Sequence, residues 1–171
     1  MVTLYIASSL DGFIADEKGG IDWLENPELH EKDEDYGYGD FIKEIEVTFM
    51  GGNTYEQVLG FGVWHYGDLE NYIFTSSLKV DSNHGKAIKS VDEVINIIPK
   101  KNCWLIGGGR LNDEFLRRGL IDKIILTTIP VFLGKGIPIF NVKVNSNHFS
   151  LEKHRSYPNG VIQYYLSKAD K

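Results

Sequence analysis

Cysteine is almost absent from this sequence. Cys103 is the one cysteine in 171 residues, so the chain can form neither an internal disulfide nor a cysteine-rich zinc site. It stands within the apolar run Cys103-Trp104-Leu105-Ile106, which is typical of a buried strand. We therefore interpret Cys103 as a small core residue and not as a nucleophile.

The sequence also lacks an excess of positive charge and a long hydrophobic run. Lysine and arginine number 18 against 24 aspartates and glutamates, a net charge of −6, and the cations form no stripe. This distribution argues against nucleic acid as a general partner. No stretch approaches the roughly 20 apolar residues of a membrane span, and the first residues have no signal-peptide pattern. We expect a cytoplasmic protein that does not bind membranes.

Histidine is sparse and unpatterned. His30-Glu31 lacks a second histidine at metal-binding spacing, and the remaining histidines form no pattern; they are His65, His84, His148 and His154. We therefore predict no bound metal.

The sequence does contain alternating strand and helix patterns. Strands are predicted over residues 2–7, 47–50, 71–75, 104–106, 123–129, 149–151 and 161–166, the last two joined by a turn signal at 156–160, and residues 13–15 form a short apolar run. Helices are predicted over residues 40–46, from an Asn53 N-cap with Glu56, from a Ser90–Glu93 capping box through Ile98, and over 111–118 before Gly119. Together these patterns predict one α/β domain, residues 1–171, with a mainly parallel mixed sheet and a C-terminal antiparallel hairpin.

Two strand-to-helix junctions are rich in glycine. They read Met50-Gly51-Gly52-Asn53-Thr54-Tyr55-Glu56 and Ile106-Gly107-Gly108-Gly109-Arg110-Leu111. Ligands of open α/β sheets bind outside the carboxyl ends of the strands, and a helix N-terminus attracts phosphate. We expect a phosphate-bearing ligand here, the alternative being that the glycines only shape the turns. Neither junction has a standard dinucleotide or ATP fingerprint.

Four segments, in this order, resemble the dihydrofolate reductase-like superfamily. They are Ala7-Ser8-Ser9-Leu10-Asp11-Gly12, the two glycine junctions, and Pro130-Val131-Phe132-Leu133-Gly134-Lys135-Gly136-Ile137-Pro138-Ile139-Phe140. The sequence is most similar to the branch that contains the reductase domain of riboflavin biosynthesis, 5-amino-6-(5-phosphoribosylamino)uracil reductase. The resemblance implies a three-layer fold and an NADPH-dependent reductase of a pteridine- or pyrimidine-like heterocycle.

The resemblance also implies a cofactor site. It assigns to NADPH the residues Ala7, Gly51, Gly52, Asn53, Thr54, Ser76, Ile106, Gly107, Gly108, Gly109, Arg110, Leu111 and Thr127. The alternative for Ala7 and Thr127 is that they only pack within the strands. The alternative for Arg110 is that it is a solvated cation on the surface. A typical dihydrofolate reductase has an arginine at the position of Gly52, where it meets the cofactor's 2′-phosphate. The choice between NADPH and NADH is therefore left open.

The reduction needs a proton as well as a hydride. A carboxyl group whose pKa is raised by burial could provide it, and by resemblance that acid precedes the second motif. Asp35 is preferred there over Asp40, and Asp11 is the other acid near the pocket. The alternative for Asp35 and Asp40 is that they are solvated acids on the surface. The alternative for Asp11 is that it forms a turn with Gly12.

We expect Ser9, Trp23 and Phe41 to bind the substrate, the two rings by stacking on a flat heterocycle. Core packing is the alternative for both aromatic residues. The resemblance further implies a homodimer, to which residues 137–140 could contribute; an internal edge strand is the alternative.

The substrate side departs from the riboflavin reductases. Their Asp-x-Pro-x-Leu-Thr-x-Arg element is missing, since residues 57–64 contain no cation. An arginine is the best grip for a phosphate, so we expect no efficient turnover of the phosphoribosylamino-pyrimidine. Phe61 and Trp64 suggest an apolar wall for an uncharged ring instead. The alternatives are dihydrofolate reductase activity and a non-catalytic nucleotide-binding module on the same fold.

Overall fold

The computed structural model describes residues 1–24, 26, 29, 33–141 and 148–169. Within these ranges no helix is long and apolar enough to cross a membrane. The same ranges contain no group of three histidine, cysteine, aspartate or glutamate side chains that could hold a metal ion. His30 and Glu31 lie outside the described residues.

Strands dominate the described chain. They are β1 (Val2–Ser9), β2 (Phe13–Ala15), β3 (Val47–Gly51), β4 (Glu70–Phe74), β5 (Lys86–Ile88), β6 (Cys103–Gly107), β7 (Lys123–Ile129), β8 (Ile137–Pro138), β9 (Phe149–Ser156) and β10 (Ile162–Lys168). The α-helices are α1 (Tyr38–Lys43), α2 (Gly52–Gly60) and α3 (Gly109–Arg117). Short 3-10 helices cover Asp22–Leu24, Val91–Glu93 and Ile98–Lys100.

Eight of the strands form one sheet in the order β5-β4-β3-β6-β1-β7-β10-β9. β10 is antiparallel to both of its neighbours, while the other neighbouring pairs are parallel. The predicted mixed sheet with a C-terminal hairpin is therefore confirmed. β2 and β8 pair separately with each other, so Ile137 and Pro138 belong to an internal strand.

Helices cover both faces of this sheet. Phe49 packs into the main core together with Phe115 of α3, whereas the next residue, Met50, packs with Tyr55 of α2. Successive strand residues point to opposite faces, so α2 and α3 lie on opposite sides of the sheet. This is the predicted three-layer arrangement. Cys103 is 1% exposed, and burial raises the pKa of its thiol to about 11, which confirms it as a core residue.

Two helix-start predictions were wrong in detail. The cap of α2 is Gly51, and Asn53 lies inside the helix, because β3 runs directly into α2 without the intervening turn that an asparagine cap needs. α1 begins at Tyr38, with Gly37 as its cap, and ends at Lys43. Gly39 is therefore part of the helix, two residues after its cap.

The Ser90–Glu93 capping box is present, but it encloses a 3-10 helix that ends at Glu93. The predicted α-helix through Ile98 was therefore wrong. Pro99 disfavours α-helical backbone at the residue before it, and a second 3-10 helix starts at that residue. Val91, Val94 and Ile98 are all buried, so successive short turns bury the same apolar residues that suggested a helix.

Candidate functional site

The pairing of β1 with β6 stops before the carboxyl ends of both strands. Their ladder ends at the Leu4–Leu105 pair, although β1 continues to Ser9 and β6 to Gly107. Beyond this point the indole Nε1 of Trp104 donates to the backbone oxygen of Tyr5 at 3.1 Å. A break between parallel strands at the carboxyl edge of a mainly parallel sheet is where α/β proteins bind ligands.

The two glycine junctions meet at this edge because β3 and β6 are neighbours in the sheet. A β-carbon on Gly51 would lie 3.7 Å from the carbonyl oxygen of Gly107, and one on Gly108 would lie 3.5 Å from the hydroxyl oxygen of Thr54. The Gly107–Gly108 peptide bond is cis, and Gly107 has a φ of 107°. The structure thus brings Gly51, Thr54, Gly107 and Gly108 together, and their role in binding a cofactor stays a prediction.

Each junction opens a nine-residue helix that no side chain caps. Gly51 precedes α2 and Gly108 precedes α3, and neither makes a side-chain cap hydrogen bond. The first amide groups of a helix have no intrahelical partner, and they carry the positive end of the helix dipole. Two such ends side by side can bind an anion such as a diphosphate. Asn53 and Arg110 are exposed in the first turns of these helices.

The small β2–β8 sheet covers the start of α3. A β-carbon on Gly109 would lie 2.6 Å from the carbonyl oxygen of Pro138, and one on Gly108 would lie 3.9 Å from the side chain of Ile14. Asn112 also donates to the carbonyl oxygen of Ile139 at 3.1 Å. The third glycine of this junction is therefore required for packing, whereas the second faces the gap between the loops.

A cavity of about 230 Å³ lies beside β1 and β7. It is lined by Tyr5, Ala7, Leu24, Asp35, Tyr36, Tyr38, Thr127 and Ile129. Ala7 and Thr127 are register partners in the β1–β7 ladder, and Asp35 faces the same cavity. Three residues assigned from the sequence are therefore brought together here. Among the described residues of the lining, Asp35 is the one charged group.

Asp35 is held as a carboxylate. Its oxygens accept hydrogen bonds from the backbone amides of Gly37 and Gly39, each at 2.8 Å. These bonds lower the pKa of this exposed carboxyl below its usual value, and the bond from Gly39 has the larger effect. A lowered pKa is the opposite of what a carboxylic proton donor needs.

Asp11 and Ser9 join two loops. The Ser9 hydroxyl donates to Asp11 at 2.6 Å, and the Asp11 carboxylate accepts the amides of Leu133 and Gly134. The Ser9 bond is the largest cause of the lowered pKa of Asp11. Ser9 is only 1% exposed and also accepts the amide of Phe13. Both side chains therefore make hydrogen bonds that hold the loops in place. The catalytic role of Asp11 and the substrate-binding role of Ser9 stay predictions.

Gln163 is the centre of a buried network behind the cavity. Its amide nitrogen donates to the carbonyl oxygen of Tyr36 and to the hydroxyl of Thr127, both at 2.9 Å. Its oxygen accepts the hydroxyl of Tyr165 at 2.6 Å. Tyr36 has a φ of 56°, in the left-handed region that non-glycine residues seldom occupy. The network therefore anchors the backbone turn that leads into α1.

The two predicted stacking residues have different surroundings. Phe41 stacks on Tyr5 with ring centroids 4.7 Å apart and lines a separate cavity of about 190 Å³ near Met1. Trp23 is half-buried next to Leu24 of the cavity wall. Its indole nitrogen is buried and has no hydrogen-bond partner in the described part of the chain. The substrate roles of both rings stay predictions.

The remaining assigned residues lie around the junctions. Ser76 is exposed. The preceding residue, Thr75, lies close to Gly52, since a β-carbon added to Gly52 would lie 3.5 Å from the β-carbon of Thr75. Ile106 packs beside Met50. Leu111 packs into the main core, so only its backbone can face the junction. Neither Phe61 nor Trp64 lines the 230 Å³ cavity: Phe61 is exposed, and Trp64 stacks on His84 at 4.5 Å.

Sequence reasoning missed several residues of the cavity and its support, namely Tyr5, Leu24, Tyr36, Tyr38, Ile129 and Gln163. Strand alternation could have found Tyr5 and Ile129, since they share a sheet face with Ala7 and Thr127. No local pattern marks Tyr36, Tyr38 or Gln163, which reach the cavity region through contacts between distant segments.

Comparison with known proteins places these features in a family. A family model described as the RibD C-terminal domain matches residues 99–163. The protein YwjB of Bacillus subtilis (strain 168) is 35% identical over 95% of each chain. A dihydrofolate reductase of Ureaplasma parvum serovar 3 is 26% identical over 71% of this chain and 74% of its own. A crystal structure from Shewanella sp. PV-4, of a protein named for riboflavin biosynthesis, superposes with a TM-score of 0.86, 26% identity and 99% coverage of both chains.

Proposed function

Because the chain belongs to the RibD C-terminal branch of the dihydrofolate reductase-like proteins, we propose that it is an NADPH-dependent reductase of a small pteridine- or pyrimidine-like heterocycle. The observation that carries this proposal is the meeting of two uncapped helix starts beside a separate cavity at one edge of the sheet. One region suits the diphosphate of a dinucleotide and the other suits a flat ring.

The residues present fit such a cofactor. Gly108 leaves open a gap that a β-carbon would enter between Thr54 and Ile14, and the first turns of α2 and α3 offer amide donors for phosphate oxygens. Ala7 and Thr127 form part of the wall of the 230 Å³ cavity. Bound NADPH supplies the hydride for a reduction of this kind.

The proton comes from water in this proposal. Asp35 is ionised at neutral pH because its pKa is lowered, and it is exposed, so solvent reaches its side of the cavity. A fixed carboxylate at this position stabilises a protonated ring nitrogen by charge attraction. Asp35 then favours the protonated substrate and does not itself donate the proton.

The substrate carries no phosphate in this proposal. The described cavity lining contains no lysine or arginine, and the Asp35 carboxylate repels a second anion. The cavity is also smaller than the roughly 300 Å³ at the lower end of pockets for drug-sized ligands. Steady-state comparison of the phosphoribosylamino-pyrimidine, dihydrofolate and a simple dihydropterin tests this. A kcat/KM above about 10⁴ M⁻¹s⁻¹ for the phosphorylated compound, within the ordinary enzyme range, would overturn it.

The cofactor assignment is tested by Gly108→Val. The added β-carbon lies at ordinary contact distances from Thr54 and Ile14, so the fold should persist while the new methyl groups fill the phosphate gap. We expect NADPH affinity, measured by the change in cofactor fluorescence, to fall at least tenfold. Gly60→Val is the matched control, since a β-carbon at Gly60 meets nothing within 4 Å. Unchanged NADPH affinity in Gly108→Val would rule out the assignment.

Turnover separates the reductase from a non-catalytic module. NADPH binding together with substrate-dependent oxidation supports the reductase, whereas binding without oxidation of any compound in the panel supports the module. Dihydrofolate is included because of the Ureaplasma relative. The preference for NADPH over NADH and the cytoplasmic location stay predictions.

A further inference from the structure

A second cavity lies at the opposite end of β1 and β7 from the 230 Å³ cavity. It has a volume of about 190 Å³, and Thr3 and Lys123, near the starts of the two strands, are part of its lining. These two residues are register partners. They share a sheet face with Ala7 and Thr127 of the first cavity, because alternate strand residues point the same way. We call this space the amino-edge cavity.

A pair of stacked rings separates the two cavities. Tyr5 lines the 230 Å³ cavity and Phe41 lines the amino-edge cavity, and their ring centroids are 4.7 Å apart. Among the residues that the structure describes, none lines both spaces. A ligand of the amino-edge cavity would therefore bind in addition to a cofactor and a heterocycle.

Apolar side chains form much of the amino-edge cavity. Phe41 and the buried Ile45 lie on the α1 side. Ile125 and Tyr165, which are register partners in the β7–β10 ladder, lie on the sheet side. At about 30 Å³ for each water molecule, the volume has room for about six waters, which suits a metabolite with a small apolar body.

Four charged side chains complete the lining, two of each sign: Glu44, Glu152, Lys123 and Lys153. Within the described ranges none of them has an oppositely charged nitrogen or oxygen atom within 4.0 Å. Lys153 lies over the Tyr165 ring at 4.3 Å. An apolar space with unpaired charges of both signs around it complements a ligand that carries both signs.

The opposite charges stand on different walls. Glu44 is the residue that ends α1, whereas Lys123 begins β7 and is half-buried. A half-buried cation without a partner has lost part of its hydration. A ligand carboxylate would give Lys123 a charge-assisted hydrogen bond, and a ligand ammonium would do the same for Glu44.

We infer that the amino-edge cavity binds a small apolar α-amino acid. Its carboxylate lies at Lys123 on the sheet side and its ammonium at Glu44 on the helix side. Its side chain lies among Phe41, Ile45 and Ile125. This site does not depend on the proposed reductase function.

The ligand class is tested by NMR titration of the full chain with four probes. Leucine carries both charges and an apolar body; isoamylamine lacks its carboxylate, isocaproate lacks its ammonium, and glycine lacks its side chain. We expect leucine to bind with a Kd of about 1 mM or tighter. The other three should bind at least about tenfold more weakly, since each lacks one charge-assisted hydrogen bond or the apolar contacts.

Two variants locate the site. Lys123→Met should weaken leucine binding about tenfold and leave isoamylamine binding unchanged, because that probe has no carboxylate to lose a partner. Glu44→Gln should weaken leucine binding similarly and leave isocaproate binding unchanged. Lys89→Met and Glu56→Gln are the matched controls, since both side chains are exposed and lie outside the cavity lining, and neither should change leucine binding.

Three results would overturn the inference. The absence of leucine binding at about 10 mM would remove the site, and unchanged leucine affinity in both cavity variants would refute its location. Isoamylamine or isocaproate binding as tightly as leucine would refute the requirement for both charges. Melting temperatures show whether each variant is folded; Glu44 is exposed, so Glu44→Gln keeps the test decisive if Lys123→Met does not fold. NADPH affinity should stay unchanged in both cavity variants, and its loss in both would refute the independence of the two sites.

Discussion

Replacing Gln163 with leucine tests the network that supports the cavity. Gln163 is fully buried, and its side-chain amide bonds to the Tyr36 carbonyl, the Thr127 hydroxyl and the Tyr165 hydroxyl at 2.6 to 2.9 Å. Leucine has a similar size, so the substitution removes hydrogen bonds and opens little empty volume.

The Gln163 oxygen also accepts a long hydrogen bond from the Tyr157 hydroxyl at 3.4 Å, which adds little. The expected loss follows from the three short bonds, each of which contributes about 0.5–1.5 kcal/mol net. The Tyr36 carbonyl keeps the Tyr5 hydroxyl as a donor, and the half-buried Tyr165 can turn to water, so the loss falls below the largest sum. We expect the free energy of unfolding to fall by about 2–3 kcal/mol. For a chain of this size the melting temperature then falls by about 4–12 °C.

Urea unfolding followed by circular dichroism measures this loss. Tyr165→Phe is the matched control: it removes one of the three bonds and should cost only about 1 kcal/mol. Heterocycle affinity should fall more than NADPH affinity in Gln163→Leu, because the Tyr36 turn that precedes Tyr38 loses an anchor. A loss below about 0.5 kcal/mol, or one no larger than that of Tyr165→Phe, would refute this account of the network.

Three further predictions concern other parts of the molecule. Because the folded pKa of Asp35 is lowered, its carboxylate stabilises the protein at neutral pH. The stability difference between wild type and Asp35→Asn in urea titrations should therefore shrink as the pH falls below about 4; a difference that is constant with pH would contradict this. Gly109→Ala should lower the melting temperature, since its β-carbon would lie 2.6 Å from the Pro138 oxygen; wild-type melting would refute that contact. Light scattering should show a homodimer at micromolar concentration, and a monomer would exclude it.

Local patterns were sufficient for much of the scaffold. Period-two alternation and turn residues marked β7 at its observed limits and located β1, β3, β4 and β6 within one or two residues. These signals work because a half-buried strand must alternate its side chains between two environments. The short edge strand β5, Lys86–Ile88, carries two exposed residues of three and gave no comparable signal.

The glycine junctions were also recognisable from the sequence, because glycine permits backbone conformations and close approaches that other residues cannot adopt. Their meeting across β3 and β6 depends on the strand order. Asn53 illustrates the limit of such signals: its side chain suits a cap, but the uninterrupted passage from β3 into α2 places the cap at Gly51.

The sequence by itself therefore determined most of the strands, the hairpin, the glycine-rich edge and the burial of Cys103, which all follow from local periodicity and residue type. Only the tertiary structure decided which polar groups meet. Gln163 reaches Tyr36 across 127 positions, and Asp11 reaches Gly134 across 123. Such partners depend on how distant segments pack, so no local pattern could show that Asp35 stays ionised or that Asp11 closes a loop.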